Sequence, residues 1–169
     1  VFALALADTT LFLGGDFTEV GGKTRNRLAA VDAVHGTLLD WNPNPNKEVK
    51  ALSLVGDRLY AGGAFQSMGS IELHSLAVFG LPSLELLPAD ATLPKSVTVD
   101  ALNALDAAVY VGGSFSSIGG EFRLYAAVLG PLMQAYDWDP APNAQPTAIG
   151  VSERLVCLGG AFTLVGNAE

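Results

Sequence analysis

The chemistry this sequence suggests rests on five polar residues: Asp16, Arg25, Asp32, Arg123 and Tyr125. Asp16 stands between Gly15 and Phe17, and Asp32 closes an apolar stretch. Two carboxyls on either side of a glycosidic bond can hydrolyse it, provided they stand about 5–10 Å apart across a pocket. Arg25 or Arg123 would suit an anion or glycan contact, and Tyr125 would line the same pocket. Nothing in the spacing shows that the five converge. They are therefore candidate binding residues, and no catalytic residue is assigned. Solvated or turn-capping carboxylates and structural ion pairs, including arginines paired with carboxylates of a neighbouring unit, are the plainer reading of the same residues.

Metal chemistry has less support. His35 and His74 are the only histidines and occupy unrelated positions. There is no His-x-His, no His-Glu-x-x-His and no cysteine pair to build a zinc site. Turn carboxylates and carbonyls suit calcium, but no EF-hand loop is present. Calcium is thus the one cofactor worth testing, and no metal ligand is assigned. Cys157 is the single cysteine, so no internal disulfide forms. The run Leu155-Val156-Cys157-Leu158 reads as a buried strand with Cys157 as a small core residue.

These residues must be positioned by a frame, and composition narrows its kind. Half of the 169 residues are hydrophobic and 15% are charged. Such a chain folds, because disordered chains are polar and charge-rich. The net charge is −8, with nine scattered Lys and Arg. Nucleic-acid surfaces need clustered cations, so no nucleic-acid partner is expected. Val1–Ala7 is apolar, but Asp8 interrupts it far short of the roughly 20 residues of a membrane helix. No transmembrane segment is expected. Without a preceding basic stretch, Val1–Ala7 is also a poor signal peptide.

An internal repeat decides the architecture. Gly-Gly pairs fall at Gly14-Gly15, Gly62-Gly63, Gly112-Gly113 and Gly159-Gly160. Each is followed by a Phe: Phe17, Phe65, Phe115 and Phe162. A further Gly follows at Gly21, Gly69, Gly119 and Gly166. A short apolar run precedes every pair, and an apolar, Ala-containing stretch follows the first three. Units one and three end on Trp41-Asn42-Pro43 and Trp138-Asp139-Pro140. Unit two has Pro88 at the Trp position and Asp90 at the Pro position. Fixed-period self-similarity of this length marks a repeat architecture. The units are approximately 1–48, 49–98, 99–145 and a partial 146–169, within one domain.

Turn signals divide each unit into four short strands. In unit two they fall near 49–54, 58–62, 75–79 and 83–87. Gly and Pro interrupt every candidate helix. A four-stranded antiparallel unit of this length is the size of a β-propeller blade. The predicted fold is all-β, with three full blades and half of a fourth. The Gly pair would permit close backbone approach or a positive φ, the Phe would wedge between blades, and the Trp would close or plug the outer part. Common propellers close with four to eight blades. The chain is then a fragment of a larger ring, one of several copies completing a ring, or an open array.

The motif Leu11-Phe12-Leu13-Gly14-Gly15-Asp16-Phe17, then Arg27-Leu28-Ala29-Ala30-Val31-Asp32, Gly36-Thr37 and Trp41-Asn42-Pro43, resembles the delta-60 class of β-propeller repeat. It is similar also to kelch blades in carrying a Gly-Gly pair. The likeness spans essentially the whole chain, is weaker in unit two and is partial in unit four. It implies a bacterial surface or secreted protein, or a fungal cortical one, and therefore an extracellular or cell-surface location. It implies no catalytic set. The leading expectation is a non-enzymatic binding or scaffold module that presents loops to a protein or glycan. The alternatives are a glycan-directed hydrolase using carboxylates in a central channel, and a structural cell-surface component.

Overall fold

A computed structural model describes residues 1–166. Every regular element among them is a strand. Unit one contains β1 (Ala3–Ala7), β2 (Thr10–Gly14), β3 (Glu19–Val20), β4 (Lys23–Thr24) and β5 (Leu28–Asp32). Unit two contains β6 (Val49–Val55), β7 (Arg58–Gly63), β8 (Ser67–Met68), β9 (Ile71–Glu72), β10 (Leu76–Gly80) and β11 (Glu85–Leu86). Unit three contains β12 (Val99–Leu105), β13 (Ala108–Gly113), β14 (Ser117–Ile118), β15 (Glu121–Phe122) and β16 (Ala126–Leu129). Unit four contains β17 (Pro146–Val151) and β18 (Val156–Gly160).

Each unit is an antiparallel meander. The sheets run β1-β2-β5, β6-β7-β10-β11, β12-β13-β16 and β17-β18. Only unit two keeps four strands. In units one and three the fourth is a single bridge, Val31 to Leu38 and Leu129 to Ala135. After that bridge the chain leaves the sheet edge and carries the Trp inward. Registers align between units, so Leu38, Leu86 and Ala135 are equivalent. Three residues on, Trp41 and Trp138 match Ala89, not Pro88, which corrects the sequence alignment by one position.

Between strands two and three each full unit inserts a small hairpin: β3-β4, β8-β9 and β14-β15. Gly21, Gly69 and Gly119 turn these hairpins with φ of +56, +58 and +63°. A side chain would be strained at such angles.

The sheets stand in chain order, with the first strands β1, β6, β12 and β17 packed on one another in sequence. The Gly pairs explain the spacing by close approach, and none of them has positive φ. A Cβ on Gly14 would lie 2.8 Å from Val49, and one on Gly62 would collide with Val99. One on Gly112 would press on Ile149 and Pro146. The first glycine therefore admits an apolar side chain of the next unit's first strand. The second faces the backbone that leads into its own unit's first strand, as with Gly63 over Glu48 O and Gly113 over Thr98 O. Bulges at Val49/Ala51, Val99/Ala101 and Pro146/Ala148 accompany this approach.

Two apolar clusters fill the junctions. One joins Phe12, Leu28 and Ala30 of unit one to Val49, Leu59, Phe65 and Phe79 of unit two. The other joins Tyr60 and Val78 of unit two to Val99, Val109, Phe115 and Leu129 of unit three. Phe65 and Phe115 are completely buried in them. Cys157 departs from the sequence expectation, because it is exposed. Its equivalents Phe12 and Tyr60 face the following unit, and among the described residues no unit follows the fourth.

Candidate functional site

The five candidate residues lie in units one and three and do not gather at one point. Asp16 is exposed at the Gly-Gly end of β2 and pairs with Arg27, Oδ1 to Nε 3.2 Å. Asp32 ends β5, opposite Thr10, whereas Leu28 at the other end is opposite Gly14. Four strand steps separate Thr10 from Gly14, roughly 13 Å along the sheet, and Asp16 lies beyond Gly14. That exceeds the separation at which two carboxyls act on one glycosidic bond.

Asp32 instead organises its own turn. Its Oδ1 accepts the amides of Val34 at 2.8 Å and His35 at 3.2 Å. His35 Nδ1 stands 3.0 Å from Oδ2. The His35 side-chain hydrogen bond, followed by the two backbone amides, holds the Asp32 carboxyl below the usual carboxylate range.

Arg25 and Arg123 are equivalent and do equivalent work. Arg25 is 8% exposed, and its guanidinium donates to Thr24 O at 2.9 Å and Leu39 O at 3.0 Å. Arg123 donates to Phe122 O at 2.9 Å and Tyr136 O at 3.1 Å. Each thereby latches the small hairpin onto the segment leading to the Trp of its own unit. Neither reaches a neighbouring unit's carboxylate. Asp40, 3.8 Å from Arg25, belongs to unit one and is solvated.

Tyr125 occupies a position that sequence reading could not weigh. It shares a left-handed backbone, φ 63°, with Arg27 at 64° and Ser75 at 62°. At all three, the residue's amide donates to the repeat Phe carbonyl and its carbonyl accepts the second glycine's amide. These bonds compensate the strain of a non-glycine residue there. Arg27, Ser75 and Tyr125 are thus three different side chains on one repeated scaffold point.

Trp41 lies between units one and two, edge-on to Phe12 at 5.5 Å and to Phe79 at 5.0 Å. Its indole Nε1 donates to Leu84 O at 3.0 Å. Trp138 has the matching Tyr110 at 5.7 Å. Unit two has Ala89 at this position and Leu73 where Arg25 and Arg123 stand. A cleft of about 340 Å³ opens there, lined by Glu72, Leu73, His74, Ala89 and Asp90. Lys95 Nζ stands 3.2 Å from the lining residue Glu72, and that hydrogen bond is the main cause lowering the Glu72 carboxyl's pKa.

Sequence reading also missed two asparagines. Asn46 Oδ1 accepts the amides of Gln66 and Ser67, and Asn143 Oδ1 those of Thr163 and Leu164. Each ties the loop after a Trp to the segment that follows the next unit's second strand. Their matching distance from Trp41 and Trp138 was the available signal. Among the described residues no group of three His, Cys, Asp or Glu side chains is gathered to hold an ion. No helix among them is long and apolar enough to cross a membrane.

Three hairpin tips repeat in place but not in chemistry. Lys23, Ile71 and Glu121 are equivalent, as are Thr24, Glu72 and Phe122. Ile71 is 53% exposed and Phe122 is 67% exposed.

No family model and no curated protein matches the sequence. Solved structures do. The fold is similar to that of the computationally designed Ika4 protein, with a TM-score of 0.67 and 16% identity over 98% of this chain and 91% of that one. It is also similar to the computationally designed Ika8 protein, with a TM-score of 0.61 and 18% identity over 93% of this chain and 42% of that one. At these identities the likeness is one of fold.

Proposed function

We propose that the chain is a non-enzymatic binding or scaffold module whose row of hairpin tips contacts a protein or a glycan. The observation that carries this reading is the contrast between frame and tip. The glycines and Phe residues recur and are packed in three equivalent junctions, whereas Lys23, Ile71 and Glu121 at one tip position, and Thr24, Glu72 and Phe122 at the next, project different chemistry from equivalent places. Exposed apolar and aromatic side chains on a rigid support are usual contact groups for partners. An assay of the chain against a polysaccharide panel and candidate surface proteins tests it. Binding should fall at least tenfold in the I71S/F122S variant with no change in melting temperature. Release of reducing sugar from a bound glycan would instead favour the hydrolase reading.

The sheets are best read as propeller-type blades of the delta-60 kind, joined end to end with a second copy of this chain. Val49/Leu52, Val99/Leu102 and Pro146/Ile149 each fit against a preceding glycine. Val1 and Leu4 hold the same register in unit one and are exposed, Leu4 at 59%. At the other end a Cβ on Gly159 would touch only Ala148, at 3.5 Å. Knob and hole are both empty, and they match. Light scattering should give twice the 17.5 kDa monomer mass, and Leu4→Asp should return the monomer. Cys157, on the same face as Gly159, should react slowly with a thiol reagent in the dimer and fast in the variant. A wild-type monomer with a reactive thiol would overturn the joining. Location at a cell surface follows from the repeat resemblance and is part of the same proposal.

A further inference from the structure

Unit two lacks the guanidinium that units one and three each place beside the small hairpin. Arg25 donates to Thr24 O and Leu39 O, and Arg123 to Phe122 O and Tyr136 O. The corresponding carbonyls of unit two belong to Glu72 and Leu87, but residue 73 is a leucine. Its side chain is shorter than arginine, carries no donor and packs against the cluster of the first junction.

The backbone nevertheless keeps both acceptors in place. Leu73 N donates to Gln66 O, as Arg25 N does to Thr18 O and Arg123 N to Ser116 O. Ser67 and Glu72 are therefore the next, non-hydrogen-bonded pair, and Glu72 O points away from the hairpin partner. Leu87 N donates to Val78 O, as Leu39 N does to Ala30 O and Tyr136 N to Val128 O. No backbone amide among the described residues donates to Leu87 O.

The cleft of about 340 Å³ lies at this point, inside the chain's middle unit. Ligand pockets span about 300–1,000 Å³, so its size suits one side chain better than a large ligand. Leu73, Ala91 and Leu93 supply apolar lining, and Glu72 and Asp90 supply two carboxylates. Asp90 Oδ1 accepts the Thr92 amide at 2.7 Å. Glu72 Oε1 is approached by Lys95 Nζ at 3.2 Å and His74 Nε2 at 3.6 Å. The second oxygen of each carboxylate is left for a ligand. Apolar lining beside carboxylates and open carbonyls matches an arginine, whose stem is apolar and whose head is a planar fork of donors. The net charge of −8 favours a cationic ligand further.

We propose that this cleft binds an arginine side chain of a protein partner, its guanidinium set against Glu72 O, Leu87 O and the carboxylates of Glu72 and Asp90. The partner thereby supplies in trans the latch that Arg25 and Arg123 supply within their own units. The inference rests on the reading of the chain as a binding module, and chooses a protein over a glycan as the partner. Ile71, exposed on the same strand β9, offers the residues flanking the arginine an apolar contact. Lysine fits less well, because an ammonium cannot span two fixed acceptors as a planar fork does.

Calorimetric titration of the intact chain with the peptide acetyl-Leu-Arg-Leu-amide tests the inference. Saturable binding is expected, with a Kd of about 1 mM or below. The peptide with lysine in place of arginine should bind roughly tenfold more weakly. Free arginine should also bind more weakly than the peptide. Glu72 and Asp90 are exposed, so the double variant Glu72→Gln/Asp90→Asn should keep its melting temperature and lose roughly tenfold in affinity. Leu73→Arg restores the residue of the sister units, fills the site from within and should abolish binding. No saturation up to about 10 mM peptide would overturn the inference. Equal binding of the lysine peptide, or undiminished binding by Leu73→Arg, would overturn it as well. Free arginine binding as tightly as the peptide would overturn the assignment to a protein. These outcomes leave the binding-module reading to the I71S/F122S assay, which reads the tips and not the cleft.

Discussion

Lys50 Nζ lies 2.7 Å from Asp100 Oδ1, across the junction of the second and third units. The two occupy the same place in consecutive units: each is the extra residue of a bulge in a first strand. A bulge re-aims its side chain, and here two bulges aim opposite charges at one another. Thr98 Oγ1 adds a 2.7 Å bond to the same carboxylate, which is 8% exposed.

This pair should couple the units measurably. A double-mutant cycle with K50A and D100A should give about 1–2 kcal/mol of interaction by urea unfolding. Burial of Asp100 limits screening, so most of the coupling should survive about 0.5 M salt. A coupling near zero would reduce the pair to an incidental surface contact.

The two tryptophans should differ in weight. Trp41 touches both Phe12 and Phe79 and donates to Leu84 O. Trp41→Ala should cost about 3 kcal/mol, as removal of a large packed aromatic does. Trp138→Ala should cost about 1 kcal/mol, because one side of its ring is open. Paired denaturation curves decide this, and equal losses would contradict that difference in packing.

The Gly pairs offer a similar contrast. Gly63→Ala drives a methyl into Glu48 O, which is backbone and cannot swing away. A loss of about 2–3 kcal/mol is expected. Gly159→Ala meets only Ala148 at ordinary contact distance and should change stability by less than about 0.5 kcal/mol in the monomer. Thermal melts of the two variants provide the comparison.

The hairpin latch predicts which substitution unit one tolerates. Arg25→Ala leaves Leu39 O without its partner and opens a void, at about 2 kcal/mol. Arg25→Leu, the residue unit two carries as Leu73, should lose less, because it refills the space. If the two variants melt together, the guanidinium contributes by neither packing nor bonding.

Asp32 gives a pH signature. Its pKa is lowered in the folded chain below the ordinary 3.8. The stabilisation is therefore present above the unfolded-state pKa and is lost as pH falls through the folded value. Wild type should exceed Asp32→Asn in melting temperature at neutral pH, and the gap should close below pH 3.8. A gap that persists at the lowest pH would assign the difference to shape, not charge.

Gly14, Gly62, Gly112 and Gly159 with their trailing Phe residues made the all-β repeat legible, but whether the pairs served close approach or a positive φ was open until the neighbouring side chains were placed. Lys50 and Asp100 were invisible, since their meeting depends on bulges that shift the register of a first strand. Arg27, Ser75 and Tyr125 hid a shared backbone conformation behind three unrelated side chains. The Trp position of unit two was placed one residue early, at Pro88, because Trp41 and Trp138 stand at distances from their first glycines that differ by one residue. Cys157 was read as core because pattern reports which face a residue takes, and not whether anything lies against that face. The candidate site was legible only as exposed variation, since equivalent tips with different residues carry no chemical motif.

Each first glycine accepts a residue from the very next unit, so free energy passes between nearest neighbours, as along a chain of coupled spins. In the Leu4→Asp monomer opening then starts at the ends, where one coupling is missing, and moves inward. Amide exchange should follow that order. The amides of β18 and β1 should exchange first, and those of β6, β7 and β12 should stay protected until the whole array opens.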